Sequence, residues 1–367
     1  MESKTEFDVI IVGLGCVGIA AAFYCTKMGL KVLGIERFND TGSIGTSSYG
    51  FTRIWRMCHP DLRYNDMQQE AIEVWREIEQ RTKKEILVKT GFVWIGPKDH
   101  PDFKSVVDSK QGEFMTNQQL KSKYSGLSAI PDDLSGIFVE NAGIVRVQNA
   151  LQGTKQLAIE QGASLKFNTK VQKIDKVKGE VTLESGEVLR AKNIVVCCGS
   201  ISDQFYEKGI FEMRKSPQET YVISDNSGLP PTMIMHGAKE LEGFDLYALL
   251  DGENLQNYKF GYEAEATDNT KTLPILKKYF PTKYEKLIHV QPCSYAITEG
   301  EEFIFERKDK AIYAFGLNGR GFKHMPYHGK RIYHLVAGNQ QEADKYKKSR
   351  NIPIQSESKM QEPIAKL

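Results

Sequence analysis

Apolar residues gather near the amino terminus in two short runs, separated by a glycine-rich turn and an alanine-rich stretch. Asp8-Val-Ile-Ile-Val12 and Lys31 to Glu36 have the continuous apolar character of strands buried on both faces, and Ile19 to Met28 that of a packed helix. The predicted order is strand, tight turn over Gly13 to Gly18, helix, strand. Asn39 to Gly50, rich in Gly, Ser and Thr, reads as a loop. Met67, Ala71, Ile72, Val74, Trp75 and Ile78 recur at helical spacing and predict a helix over Asn65 to Arg81.

Ile86 to Ile95 is β-rich, and the polar stretch after it is expected to be helical up to Tyr124. Val147 to Gln161 reads as a helix. Ser164 to Phe167, Lys170 to Ile174 and Glu180 to Leu183 read as strands of a meander, and Lys192 to Gly199 as a strand ending in a glycine turn. Short alternating strands are expected from Ser216 to about Ile297, as in a sheet that walls a pocket. Ala311 to Phe315 returns as a buried strand before the glycine-rich Gly316 to Gly321, and Tyr346 to Leu367, polar with two prolines, reads as a flexible tail.

At 367 residues the chain exceeds what one core usually organises. The expectation is an α/β protein of two domains. A discontinuous, Rossmann-type domain would comprise 1–88, 145–214 and 296–345, a sheet-rich substrate domain 89–144 and 215–295, and a tail 346–367.

Charge narrows the function classes. With 49 basic and 47 acidic residues the net charge is +2, which gives no reason to invoke nucleic acid or an anionic membrane as a partner. Cys16, Cys25, Cys58, Cys197, Cys198 and Cys293 form no CxxC pair, so free thiols in a reduced compartment are expected. His324 and His328 have a metal-ligand spacing, but Pro326 and Gly329 argue against the helix that would align them, and no metal is expected. Phe7 to Cys25 is apolar except for Asp8. It lacks a basic leader and carries three glycines, so it is read as part of the dinucleotide unit and not as a membrane anchor.

Gly13-Leu-Gly-Cys-Val-Gly18 is the dinucleotide fingerprint: Gly13 for the turn, Gly15 for close approach of backbone to pyrophosphate, and Gly18 for packing of helix on strand. Glu36 follows Gly13 by 23 residues, where a carboxylate can accept from a ribose hydroxyl. Asn193-Ile-Val-Val-Cys-Cys-Gly199 has the form of a second cofactor-contacting strand.

Further motifs follow in order: Gly45-Thr-Ser-Ser-Tyr-Gly-Phe-Thr-Arg-Ile-Trp-Arg56, Tyr258-Lys-Phe-Gly-Tyr262, Gln291-Pro-Cys-Ser-Tyr295 and Gly316-Leu-Asn-Gly-Arg-Gly-Phe-Lys323. Together they resemble the monomeric sarcosine oxidase family, flavoproteins of the glutathione-reductase-like class that include N-methyltryptophan oxidase and the peroxisomal pipecolate/sarcosine oxidases. The resemblance runs from the first strand to about Gly329.

That resemblance implies FAD, linked as a thioether from Cys293 to the flavin 8α-methyl. Its other contacts would come from Gly13, Gly15, Cys16, Val17, Gly18, Glu36, Arg37, Ser47, Arg53, Ile54, Val171, Cys198 and Gly199. Lys323 would join them, with Gly319, Arg320, Gly321 and Phe322 acting through their backbone. Arg53 would lie beside the flavin ring, and Arg56 with Lys323 would grip the substrate carboxylate. Lys259 would be the lysine at which dioxygen is reduced, and Tyr247 and Tyr295 would line the cavity. These residue types suit the chemistry. Fixed cations hold a carboxylate and leave the amine nitrogen uncharged for hydride transfer, and an ammonium stabilises charge developing on dioxygen.

Three departures from the family pattern stand out, the first two bearing on the substrate and the third on the match of Tyr247. Ser48-Tyr49 stands where the family has a histidine pair, Glu263 where bacterial relatives have a histidine near the amine, and one residue is inserted near Tyr247. The expected activity is oxidation of a small secondary-amine amino acid (sarcosine, L-pipecolate or L-proline-like) by a monomer, with dioxygen as acceptor. A dehydrogenase passing electrons to another acceptor is the alternative, which Lys259 opposes. An inert flavin-binding protein is a second, opposed by the joint presence of Arg56, Lys259, Cys293 and Lys323. Ala365-Lys366-Leu367 is similar to the S-K-L peroxisomal address, which implies an import receptor as partner and a peroxisomal location.

Overall fold

The computed structural model describes residues 7–207, 211–236, 246–262, 272–298 and 302–347. Strand β1 (Phe7–Val12), helix α1 (Cys16–Lys27) and strand β2 (Val32–Ile35) follow in the predicted order. β1 pairs in parallel with β2 on one side and with the strand Val188–Val196 on the other, which in turn pairs in parallel with Ala311–Phe315. The unbroken apolar run of β1 has a simple cause. Val9 and Ile11 pack into the core beneath α1, while Ile10 and Val12 pack into the core on the opposite face. α1 is itself packed against the helices Val147–Glu160 and Met325–Val336.

One strand departs from the expected meander. Val171–Asp175, Glu180–Leu183 and Val188–Val196 form it, but Ser164–Lys166 pairs in parallel with β2 at the opposite edge of the sheet. The helix Val147–Glu160 precedes it, and such a helical crossover delivers a strand in parallel.

The second sheet runs in the order Leu287–Thr298, Met213–Ile223, Asn257–Tyr262, Leu246–Asp251, Thr232–Met235, Phe92–Pro97, Leu134–Val139, Glu113–Met115. Its strands are not all short: Met213–Ile223 and Leu287–Thr298 have 11 and 12 residues and pair along their length. The helices Thr272–Tyr279 and Pro281–Tyr284 interrupt the predicted strand series, because Leu276, Tyr279 and Phe280 recur at helical spacing and bury against this sheet. The stretch expected to be helical up to Tyr124 divides into Pro101–Asp108 and Asn117–Lys123, with the short strand Glu113–Met115 between them. A third, three-stranded sheet joins β3 (Thr52–Arg56) to Ala142–Arg146 and Leu87–Lys89.

Two expectations are corrected near the carboxyl end. Pro326 does not prevent a helix, because it stands in the first turn of Met325–Val336, where its missing N–H removes no internal bond. His324 precedes that helix and His328 lies within it, and Gly329 packs on Ala20 of α1. Tyr346 is not part of a free tail. Its hydroxyl donates to Glu70 at 2.8 Å and its ring lies 5.3 Å from Tyr327. Among the described residues no helix is long and apolar enough to cross a membrane.

Candidate active site

The dinucleotide end forms at the carboxyl ends of the parallel strands. β1 runs into Gly13 at φ 89°, in a turn so tight that a Cβ would stand 2.7 Å from the Cys197 carbonyl oxygen. Gly15 caps α1 without a side chain, and the Cys16 N–H donates to Ser48 Oγ at 2.9 Å. Val17 follows in the first turn, and Gly18 packs on the Gly13 carbonyl. Glu36, buried at the end of β2, accepts from the N–H groups of Leu14 and Phe38 at 2.7 and 3.2 Å. Arg37 lies over the Phe38 ring at 4.5 Å. Cys198 and Gly199 follow Val188–Val196, within electrostatic reach of Glu36 and Arg37. Burial pushes the Cys198 thiol up to about 12, so its sulfur stays protonated. Val171 is buried in the same core as Ile35.

A fixed carboxylate beside a tight glycine turn at a helix start is the donor and acceptor set that a ribose and a pyrophosphate require. These residues fit FAD.

The other end is built on β3. Arg53 folds back onto the preceding loop and donates to the carbonyls of Thr52, Ser47 and Tyr49 at 2.7, 2.9 and 2.7 Å, with its guanidinium 5.6 Å from the Phe322 ring. Ser47 Oγ donates to the Ser294 carbonyl at 2.7 Å, which ties this loop to the strand that carries Cys293. Ile54 packs on the cluster of Phe92 and Trp94. Lys259, almost fully buried, donates from Nζ to the Thr52 carbonyl at 3.0 Å and to Asp251 Oδ1 at 3.0 Å. Burial pulls the Lys259 ammonium below the ordinary lysine value. Asp251 opposes that pull, Arg53 adds to it, and Cys293 opposes it more weakly. Lys259, Arg53 and Cys293, far apart in the chain, therefore share one electrostatic neighbourhood.

Beyond them lies a second group of cations. The Arg56 guanidinium stacks 4.4 Å from the centre of Trp94 and 5.2 Å from Phe92, and its Nε is 3.5 Å from His59 Nε2. Burial and the charges of Arg56, Lys323 and Arg320 hold His59 well below the ordinary imidazole range, so it is neutral. Arg320 also lies over the Tyr64 ring at 5.7 Å. The turn 316–321, which bears Arg320, is anchored by Asn318, whose Oδ1 accepts from the Thr298 N–H at 2.8 Å. Gly319 lies directly on the Tyr295 ring. The Lys323 carbonyl faces Gln68 Nε2 and Trp75 Nε1 of the helix α2 (Arg63–Thr82), each at 3.4 Å. Tyr247, half-buried, lies across Gly261 on the neighbouring strand. Glu263 and Ala365-Lys366-Leu367 lie outside the described residues.

Sequence reasoning missed Asp251, Thr52, His59 and Trp94, and it named Ser48 without its contact to the Cys16 N–H. Asp251 had a signal: a hairpin turning at Gly252 pairs residue 251 with 257 and sets 251 diagonal to 259 on one face. Ser48, Thr52 and Trp94 had none, because each acts on a partner brought in by another element, and His59, three residues after Arg56, gains its neutrality from burial and from distant cations.

A family model described as FAD dependent oxidoreductase (DAO) matches residues 8–335. The chain belongs to that family. Like the family, it is a flavin-dependent oxidoreductase of mixed α/β fold with FAD as its cofactor. It is 27% identical to the monomeric sarcosine oxidase of Bacillus sp. (strain NS-129), over 93% of this chain and 95% of the relative. It is 26% identical to the N-methyl-L-tryptophan oxidase of Citrobacter koseri, over 87% of this chain and 91% of that protein. In three dimensions the FAD dependent oxidoreductase fold superposes on NikD, an unusual amino acid oxidase essential for nikkomycin biosynthesis. The TM-score is 0.77, covering 91% of this chain and 94% of NikD at 19% identity, which speaks for the shared fold alone.

Proposed function

We propose that the protein oxidises a small secondary-amine amino acid (sarcosine, L-pipecolate or an L-proline-like compound) and passes the electrons to dioxygen, yielding hydrogen peroxide and an imine that water hydrolyses. The observation that carries this reading is the Arg56 guanidinium, stacked 4.4 Å from Trp94 and 3.5 Å from the buried His59, with Arg320 over the neighbouring Tyr64 ring and Lys323 within electrostatic reach of that neutral imidazole. Cations gathered around a neutral ring attract a carboxylate and place no charge that would compete for the amine.

FAD, when bound, supplies the hydride acceptor. Arg56, its plane set by Trp94, offers two parallel N–H donors to the carboxylate, and Lys323 adds a point charge. Tyr247 and Tyr295 are assigned to the cavity wall. Lys259, buried beside Arg53 and Cys293, is the cation assigned to dioxygen reduction, and Cys293 is assigned the covalent link to the flavin. Similarity to a sarcosine oxidase and an N-methyl-L-tryptophan oxidase supports an N-alkylated amino acid as the substrate class. We assign the Ala365-Lys366-Leu367 terminus to a peroxisomal import receptor.

A substrate panel tests the reading. Sarcosine, L-pipecolate or L-proline should bleach the yellow holoenzyme without air, and air should return the colour with one peroxide per turnover. Bleaching without peroxide would assign a dehydrogenase. If no secondary amino acid bleaches the protein, the reading is wrong.

A further inference from the structure

Lys259 and Asp251 form an ion pair in which each side chain is only 6% exposed. Asp251 ends the strand Leu246–Asp251 opposite Asn257, and Lys259 lies opposite Leu249, so the pair is diagonal on one face of this hairpin. β3 closes the arrangement. Thr52 Oγ1 donates to Asp251 Oδ1 at 2.6 Å, the Thr52 carbonyl accepts from Lys259 Nζ at 3.0 Å, and Thr52 Oγ1 is 3.3 Å from the same nitrogen. The ammonium is thus aimed by a carboxylate of its own hairpin and by the backbone of the strand that bears Arg53 and Arg56.

The charged groups facing Lys259 are Asp251 from its own hairpin and Arg53 from β3, and the titratable thiol of Cys293 faces it from the long strand Leu287–Thr298. Burial and Arg53 both press the ammonium towards its neutral form, and Asp251 is the strongest group opposing them. A neutral amine in this place could orient a ligand but could not stabilise a developing negative charge.

We propose that Asp251 is the positioning residue of this site: it fixes Lys259 against β3, keeps it cationic, and so sets the pH above which the oxidative half-reaction fails. The last clause rests on the assignment of Lys259 to dioxygen reduction; the first two do not.

The test uses the holoenzyme with ¹⁵N at the lysine side chains. The Lys259 Nζ resonance is identified by its loss in Lys259→Met and then followed against pH. In Asp251→Asn the proton affinity of Lys259 should fall about tenfold or more, the effect of removing one opposite charge at contact distance. Asp251→Glu should restore most of it. Asp251→Ser serves as the neutral variant if Asp251→Asn does not fold. An unchanged titration in a folded neutral variant overturns the proposal. Stopped-flow reoxidation by dioxygen gives the second readout, in which the falling alkaline limb should move to lower pH by the same amount. If Lys259→Met reoxidises as fast as wild type, the oxygen assignment of Lys259 fails, and the resonance titration still judges Asp251.

Discussion

The ring of Tyr295 lies against the Cα of Gly319, so close that a Cβ there would stand 2.8 Å from Tyr295 Cε2. Gly319 also has φ 69°, a conformation in which L side chains are strained. One glycine therefore meets two demands: the turn needs its backbone, and a residue assigned to the cavity wall needs its empty face. Gly319→Ala should cost about 1–2 kcal/mol in stability from the backbone alone. It should also push the Tyr295 ring away and alter the flavin absorption spectrum. Chemical denaturation and the visible spectrum check this; a variant with unaltered spectrum and stability would mean the turn relaxes freely.

Cys293 lies on the strand that Ser47 ties to the Gly-Ser loop, in electrostatic reach of Lys259. The expected outcome is a flavin that stays with the pellet on acid precipitation of the wild-type protein and passes to the supernatant in Cys293→Ser. Free FAD from the wild type would remove the covalent assignment.

The Arg56–Lys323 clamp makes a stricter demand. Simple carboxylates that lack the amine, such as acetate or a thioether acetate, should perturb the flavin spectrum and compete with substrate. Arg56→Ala and Lys323→Ala should each weaken that binding about 10- to 150-fold, the size of a charge-assisted hydrogen bond. Arg56→Lys should not rescue it, because a lysine cannot reproduce a planar fork stacked on Trp94. Carboxylate affinities equal to wild type in both alanine variants would place the clamp elsewhere.

Glu70 joins α2 to the carboxyl-terminal segment. Its carboxylate accepts from Lys330 and Lys345 at 2.7 Å each and from Tyr346 at 2.8 Å. Burial raises this carboxyl, but those three donors outweigh it and hold it at about 2, against an ordinary 4.5. A depressed carboxylate stabilises the fold above its unfolded value and loses that contribution as pH falls through the folded one. Glu70→Gln should therefore cost about 1–2 kcal/mol near neutral pH, a figure reduced for the exposure of Lys345. The difference from wild type should shrink between about pH 4.5 and 2. Melting curves at pH 7 and below 3 decide; a gap that persists in acid would assign the effect to packing.

Localisation depends on the last three residues. A fluorescent protein fused at the amino terminus should collect in puncta that co-stain with a peroxisomal marker and disperse when Leu367 is deleted. Diffuse signal from the intact chain would refute the assignment.

The sequence by itself determined the β1–turn–α1–β2 unit, because its signals are local: a buried apolar run, glycines that permit a tight turn, and a carboxylate at the next strand end. It also carried the motif order by which Arg53, Arg56, Lys259, Cys293 and Lys323 could be named. Tertiary structure decided what surrounds them. Whether Pro326 breaks a helix or begins one depends on its place in the first turn, and Ser164–Lys166 takes its edge of the sheet from a crossover helix. His59 is neutral because it is buried and because cations from the 316–323 region meet Arg56 around it, and Lys259 has its charge supported by a carboxylate eight residues earlier and a carbonyl 207 residues away. Burial and charge proximity are properties of space rather than of spacing along the chain, and they govern protonation in this site.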